Sequence, residues 1–409
     1  MGDAHEFLVA YCNVRIPIIV DGRHVIEEEL TGMVSVDALF QPLRIGTTTL
    51  RNRLAMAPMT RCFAQDEVHD PRAVEYYGRR ARGGIGLIIS EGSPPPTPEA
   101  PFHPNVPGFG SQAALAKWKE IADAVNAAGS HMLVQLWHAG ILRDATSSAH
   151  PEVPPLGPSG VFPVTRPDNP DIVETQMIGR EMTLADIERT IDLFASTAQT
   201  CQDLGFSGIE LHAAHGYLFD QFFWEESNRR TDKYGGDLAQ RTQFAVETVQ
   251  EIRRRTGPDF LISLRFSQFK PPLYSAKLAH TPKELEQFLE PLASSGLDLI
   301  HASTRRFWIP EFEGSDLTLA AWTKKITGLP TISVGSVCLD VAFDPRKGAG
   351  AAAGKADLRD LTRMMERGDF DIIAIGRSLL ANPEWATIVR EHGSEGLVSF
   401  DKTALDELV

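Results

Sequence analysis

Cysteine is scarce: there are four in 409 residues. Cys12, Cys62, Cys201 and Cys338 lie far apart and form no CxxC pair, so the ligand spacing of a zinc or iron–sulfur site is missing. Free thiols in a reducing compartment are the expectation. Positive charge is also in deficit, with 40 Lys and Arg against 54 Asp and Glu and a formal net charge of -14. Phosphate backbones are bound by clustered Lys and Arg, and no such block occurs, so no nucleic-acid partner is expected. No apolar run is long enough to cross a bilayer. Phe7–Val20 is broken by Asn13 and Arg15 and has no basic segment ahead of it. Met1-Gly2 is followed by Glu6 where a myristoylation signal has Ser or Thr, and Glu407-Leu-Val409 matches no retention or peroxisomal signal. The cytoplasm is the expected compartment, with no membrane partner. A glycine-rich dinucleotide turn is missing too, since the first strand runs into Ala57-Pro-Met-Thr-Arg61.

What is present is alternation. Apolar, β-branched runs at Leu54–Met59, Leu87–Glu91, His131–Trp137, Gly208–His212, Phe260–Phe266, Asp298–Ser303, Thr331–Gly335 and Asp371–Gly376 predict strands. Helical periodicity lies between and after them, near Pro71–Arg82, Gln112–Ala128, Leu184–Leu204, Leu238–Thr256, Pro282–Ser294, Leu317–Thr327, Leu358–Arg367 and Pro383–Arg390. Thr183 and Thr281, each with an acid three residues later, read as helix starts; Gly129, Gly205, Gly257 and Gly296 read as helix stops. Strands without polar alternation are buried on both faces. Eight such units in one chain predict an α/β fold, a (β/α)8 TIM barrel, rather than an open doubly wound sheet.

Three segments fall outside the repeat. Leu43–Arg53 reads as a β-hairpin lid plugging the N-terminal mouth of the barrel, and His138–Glu181 as a long Pro-rich excursion after strand three that walls or covers the substrate site. Residues 1–36 form an appendage in which Asp21-Gly22 suggests a small hairpin. The predicted division is therefore appendage 1–36, barrel 37–395 and C-terminal tail 396–409.

Catalytic groups of a barrel collect at the C-terminal ends of its strands. Thr60 and Gly92 follow strands one and two, Gln135 and Trp137 end strand three, and Arg265 ends strand five. Strand four breaks into Gly208-Ile-Glu-Leu-His-Ala-Ala-His-Gly-Tyr217, which places His212, His215 and Tyr217 within six residues. Two hydrogen-bond donors and a phenol at one strand end can hold a carbonyl oxygen and deliver a proton beside it. The same residues read singly fit structural roles: satisfied core histidines, a core amide, half of an ion pair. Strands seven and eight end in Val334-Gly-Ser-Val337 and Ile375-Gly-Arg-Ser378. The loops after these two strands are the recurring phosphate site of the fold, where Gly335 and Gly376 admit close backbone approach and Arg377 can clamp phosphate oxygens. A phosphate at one edge of the rim, with an amide, an arginine and a hydroxyl towards its centre, suits FMN.

Phe40-Gln-Pro-Leu43, Asn52–Arg61, Val134-Gln-Leu-Trp-His-Ala-Gly140, His212–Phe222, Ser227–Gly236 and Gly376-Arg377 together resemble the Old Yellow Enzyme family, in order and with barrel spacing over residues 37–392. The resemblance implies FMN as cofactor, NAD(P)H as reductant and the reduction of activated alkenes by hydride from flavin N5 to the β-carbon. It implies flavin contacts from Pro58, Met59, Thr60, Gly92, Gln135, Arg265, Gly335, Ser336, Gly376 and Arg377. It further implies His212 and His215 as donors to the substrate oxygen, Tyr217 as proton donor to the α-carbon, and Trp137 as a wall of the substrate pocket; no metal is implied. Thr60 stands where some bacterial-type members carry Cys. The chain also lacks the Cys cluster and second flavin domain of the dienoyl-CoA reductase branch. The Ser227–Gly236 run reads as a solvated loop that orders the histidine segment from behind. Three rival readings remain: a metal-dependent hydrolase using His212 and His215 with His138 or His301, a non-redox flavin barrel, and a flavin binder without activity. The first leaves Gln135, Arg265 and Arg377 without a purpose.

Overall fold

Eight apolar runs flanked by helices bury both of their faces by curling into a cylinder with the helices outside. In the computed structural model, which describes residues 18–20, 23–25, 34–144, 150–165, 173–271, 273–342 and 353–409, the eight runs close into one parallel barrel. Strands one to eight are Leu54–Met56, Leu87–Ile89, His131–Leu136, Gly208–Ala213, Leu261–Ser267, Leu299–Ser303, Thr331–Val334 and Ile372–Ile375. All of their residues are buried except the first of strand three, His131. Strand eight closes on strand one in the register Ile373↔Leu54. Met59, Glu91, Trp137, Gly335 and Gly376, read as strand ends, lie beyond the ladders. There the backbone leaves the cylinder to build the rim.

The helices follow the predicted punctuation. Thr183 forms a complete capping box with Asp186 ahead of Leu184–Asp203. Thr281 accepts the Glu284 N–H at 3.2 Å, whereas the Glu284 carboxylate reaches past it to the His280 N–H at 2.6 Å. Gly257 ends Gln243–Thr256 with φ 76°, a conformation that side chains disfavour. Two short helices carry no periodicity long enough to read in the sequence: Leu218–Phe223 after strand four and Arg377–Ala381 after strand eight.

Leu43–Ile45 pairs antiparallel with Thr48–Leu50. Ile45 and Leu50 share one apolar cluster with Leu87, Leu261, Leu299 and Ile372, the first residues of their strands. Burial of those two side chains seats the hairpin at the N-terminal end of the barrel, opposite the rim. The excursion after strand three holds a hairpin, Val161–Thr165 with Val173–Met177, and a two-residue parallel ladder between Leu156–Gly157 and Arg180–Glu181. Residues 1–35 are a compact unit distinct from 36–409, and within it Ile18–Val20 pairs with Arg23–Val25 across Asp21-Gly22. Cys12 lies outside the described residues; Cys62, Cys201 and Cys338 are free thiols. No helix among the described residues is long and apolar enough to cross a membrane.

Candidate active site

Parallel register decides which side chains meet on the rim. Strand four pairs with strand five as His212↔Arg265 and with strand three as Glu210↔Gln135. Beyond the ladder the strand-four backbone turns through His215, a non-glycine residue at φ 64°, into the helix Leu218–Phe223. The strained turn brings the rings together. His212 and His215 have centroids 5.2 Å apart, and Tyr217 lies 4.9 Å from His212 and 4.9 Å from Trp137. Phe102, from the loop after strand two, stacks on Trp137 at 5.4 Å and meets Tyr217 edge-on at 5.9 Å.

The protonation states suit donors. Burial, then the charges of Arg265 and His301, holds His212 well below the ordinary imidazole value. His215 is depressed in the same way, by burial first and Arg265 second. Both rings are neutral at neutral pH, and a neutral imidazole donates one N–H. Burial raises the Tyr217 phenol, which keeps its proton. The two histidines are not equivalent. His212 Nδ1 is buried without a hydrogen-bond partner, whereas His215 Nε2 lies 2.9 Å from the Ser303 hydroxyl. Only Nδ1 of His215 remains for a substrate oxygen.

A buried polar group lies beside the donors. The Gln135 amide donates to Glu210 Oε1 at 2.9 Å, and Arg265 Nη2 donates to Ser303 Oγ at 3.1 Å. Burial lowers Arg265 and the Glu210 carboxylate raises it. Gly92 is pressed against this group: a Cβ there would stand 2.6 Å from the Trp137 ring and 3.3 Å from Gln135 Oε1. Pro58 and Met59 are half-buried and Thr60 is exposed at the mouth.

Strands seven and eight place the other half of the rim. Gly335 has φ 138°, and a Cβ there would meet the Thr304 carbonyl oxygen at 2.7 Å. No other residue fits that turn. Ser336, at φ 53°, donates its hydroxyl to the Arg305 carbonyl at 2.9 Å, so its side chain is committed to the strand-six loop. Gly376 faces Met59, whose sulfur would be 3.6 Å from an added Cβ, leaving open space on the rim. Arg377 Nη2 donates to the Val341 carbonyl at 2.6 Å, and its guanidinium lies over the Phe400 ring at 5.6 Å.

Comparison with known proteins bears on this geometry. The family model described as "NADH:flavin oxidoreductase / NADH oxidase family" matches residues 38–395. The chain belongs to this family. It is the Old Yellow Enzyme family that the motifs resemble. Similar members include an NADH oxidase of Thermoanaerobacter brockii, 32% identical over 86% of this chain and 50% of its own length. Aldehyde reductase FrzD of Cladobotryum sp is 32% identical over 85% of each chain. 12-oxophytodienoate reductase 1 of Oryza sativa subsp. japonica is 31% identical over 85% of this chain and 84% of its own. The chain thus spans half the length of the NADH oxidase. Among solved structures, morphinone reductase in complex with tetrahydroNAD superposes with a TM-score of 0.70 at 26% identity, covering 90% of this chain and 93% of that one.

The protein is an oxidoreductase of this flavin family, with FMN and NAD(P)H as its cofactors. The residues present fit a flavin. Arg265 Nε and Trp137 Nε1 are buried polar atoms without partners, and Gly92 and Gly335 let the rim backbone pack where no side chain fits. Among the described residues no group of three or more His, Cys, Asp or Glu could hold a metal ion. Of the further ligands a hydrolase would require, His138 has its Nδ1 taken by the Gly140 N–H at 3.0 Å and His301 has its Nδ1 against Glu210 at 2.8 Å.

Several site residues were given no part in the flavin site by the sequence. Glu210 and His301 left one signal, a charged or polar side chain inside an otherwise apolar strand. Phe102 and Ser303 left none. The Ser227–Gly236 run is only in part the solvated loop its composition suggests: Arg229, Thr231, Asp232, Lys233 and Gly236 are exposed, but the rest is tied down. Ser227 and Asn228 are buried, Asn228 Nδ2 donates to the Phe222 and Tyr234 carbonyls, and Arg230 ties the segment to Pro158 and Met182. Hydrogen bonds to backbone carbonyls, which composition does not reveal, decide that burial.

Proposed function

We propose that the protein is an ene-reductase acting on α,β-unsaturated carbonyl compounds and related activated alkenes. Bound FMN supplies the hydride carrier, loaded by NAD(P)H and discharged to the β-carbon of the alkene. The chain's own residues do the rest. His212 and His215 hold the substrate oxygen and stabilise the negative charge that develops there, as preorganised neutral donors in a site shielded from water. Tyr217 protonates the α-carbon. Trp137 and Phe102 pack around the phenol and exclude water from the apolar end of the substrate.

Pro58, Met59 and Thr60 would hold one edge of the flavin, with the Thr60 hydroxyl as a donor to its carbonyl edge. Gln135 and Arg265 would hold the pyrimidine side of the flavin. Gly335 and Ser336 through backbone N–H groups, Gly376, and Arg377 through its guanidinium take the phosphate. One observation carries this reading: three proton donors gather at a strand end, with the His212 ring 5.2 Å from His215 and 4.9 Å from Tyr217. Similarity to proteins named 12-oxophytodienoate reductase and morphinone reductase supports it.

The test is anaerobic stopped flow on the yellow holoprotein. NADH or NADPH should bleach the flavin absorbance, and cyclohexenone should restore it. Bleaching without alkene-dependent recovery would sink the assignment and favour a flavin barrel of different chemistry.

A further inference from the structure

Glu210 sits mid-way along strand four with a fully buried side chain. An ionised carboxylate taken out of water loses several kcal/mol of hydration unless neighbours replace it. Here they do. Oε1 accepts from Gln135 Nε2 at 2.9 Å, and Oε2 accepts from Ser263 Oγ at 3.2 Å and from His301 Nδ1 at 2.8 Å. Burial pushes the Glu210 carboxyl up. The His301 charge and hydrogen bond, the charge of Arg265 and the Gln135 amide outweigh it and hold the group below its ordinary value. Burial also lowers His301, against the pull of the Glu210 charge, and the imidazole donates its Nδ1–H to the carboxylate. The proton and hydride chemistry proposed above uses neither residue.

Two consequences follow for the rim. An amide that spends its N–H on a carboxylate must present its oxygen elsewhere, and Gln135 Oε1 faces Gly92. Gln135 therefore offers the flavin an acceptor, which matches a ring N–H. Arg265 is the second consequence. It is buried, its Nε has no partner, and Glu210 is the carboxylate whose charge acts on it. Without Glu210 its positive charge would act undamped on whatever lies over the strand ends.

We infer that Glu210, held ionised by His301, is a positioning residue that sets the redox potential of bound FMN by turning the Gln135 carbonyl toward the flavin ring and partly neutralising Arg265. This rests on the placement of Gln135 and Arg265 against the flavin proposed above.

The experiment is a spectroelectrochemical titration of holoprotein variants. Glu210→Gln removes the charge at constant shape and should raise the flavin midpoint potential. The expected rise is about 30 mV or more, equivalent to a tenfold change in the equilibrium constant of a two-electron couple. Glu210→Asp keeps the charge and should fall between wild type and Glu210→Gln. An equal shift in both variants would assign the effect to packing and overturn the inference. Arg265→Lys and Gln135→Leu separate the two layers of the argument. If neither moves the potential, the flavin placement is wrong and the role of Glu210 falls with it. If both move it and Glu210→Gln does not, the placement stands and only the role of Glu210 is lost. Should Glu210→Gln yield no folded holoprotein, His301→Leu removes the donor to the Glu210 carboxylate and must raise the potential too; no change there overturns the proposal.

Discussion

Replacing Tyr217 by Phe removes one hydroxyl and leaves the ring against Trp137 and His212, both at 4.9 Å. The variant therefore separates proton delivery from hydride delivery. Flavin reduction by NAD(P)H places no proton on a substrate carbon and should keep its rate. Alkene reduction should slow by about 10²–10⁴-fold, the contribution of a positioned acid. Stopped-flow traces of the two half-reactions give both numbers, and equal slowing of both would make Tyr217 structural. The same scale explains why the donors work without being charged. Burial beside Arg265 keeps His212 and His215 neutral, so in the proposed reaction each would act through an N–H rather than as a cation.

The segment from His215 to Phe223 is an element held from below by an ion pair that the sequence does not announce. Asp220 and Lys270 are both fully buried and 2.7 Å apart. Asp220 Oδ2 also accepts the Gly216 N–H at 2.7 Å, between His215 and Tyr217. Lys270, from the loop after strand five, donates further to the Ser267 and Gln268 carbonyls. Lys270→Met strands a buried carboxylate and should lower stability by about 3–5 kcal/mol, read from urea unfolding. Adding Asp220→Asn, which keeps an acceptor for Gly216, should recover part of that loss. A double variant no more stable than the single one would mean that Lys270 acts through its carbonyl contacts rather than through Asp220.

Among the described residues, burial holds five enclosed histidines below their ordinary value: His69, at about 3, His138, at about 4, and His212, His215 and His301. In the unfolded chain they take up protons near pH 6.5. Below that pH the unfolded state binds more protons than the folded one, so stability falls as the pH drops. Glu91 acts in the opposite sense. Burial raises it to about 7, so its stabilisation is complete at low pH and is lost as pH rises through 7. Asp220 and Glu311 are raised by burial as well, so three carboxyls stand against five imidazoles. The thermal midpoint should therefore fall between pH 7 and pH 5, and a flat or rising midpoint over that interval would contradict the neutral, buried assignment of the histidines.

The barrel was legible because its cause is local. A strand buried on both faces needs an unbroken apolar run, a helix packed outside needs a 3.6-residue stripe, and both patterns are written in consecutive residues. So was the rim, because parallel strands bring their C-terminal ends to one face, which gathers Gln135, His212, Arg265, Gly335 and Gly376 wherever they stand in the chain. What lay beyond the sequence was pairing across that face. Lys270 meets Asp220, His301 meets Glu210, and Phe102 meets Trp137, each across dozens of residues or more. Such partners are chosen by register, by the strained turn at His215 and by loop paths, none of which leaves a periodic trace. The residue types and the barrel follow from the order of side chains along the chain. Which nitrogen of His215 is free, which way the Gln135 amide faces and what balances Arg265 were decided only when the closed cylinder brought distant strands into hydrogen-bonding distance and removed the water between them.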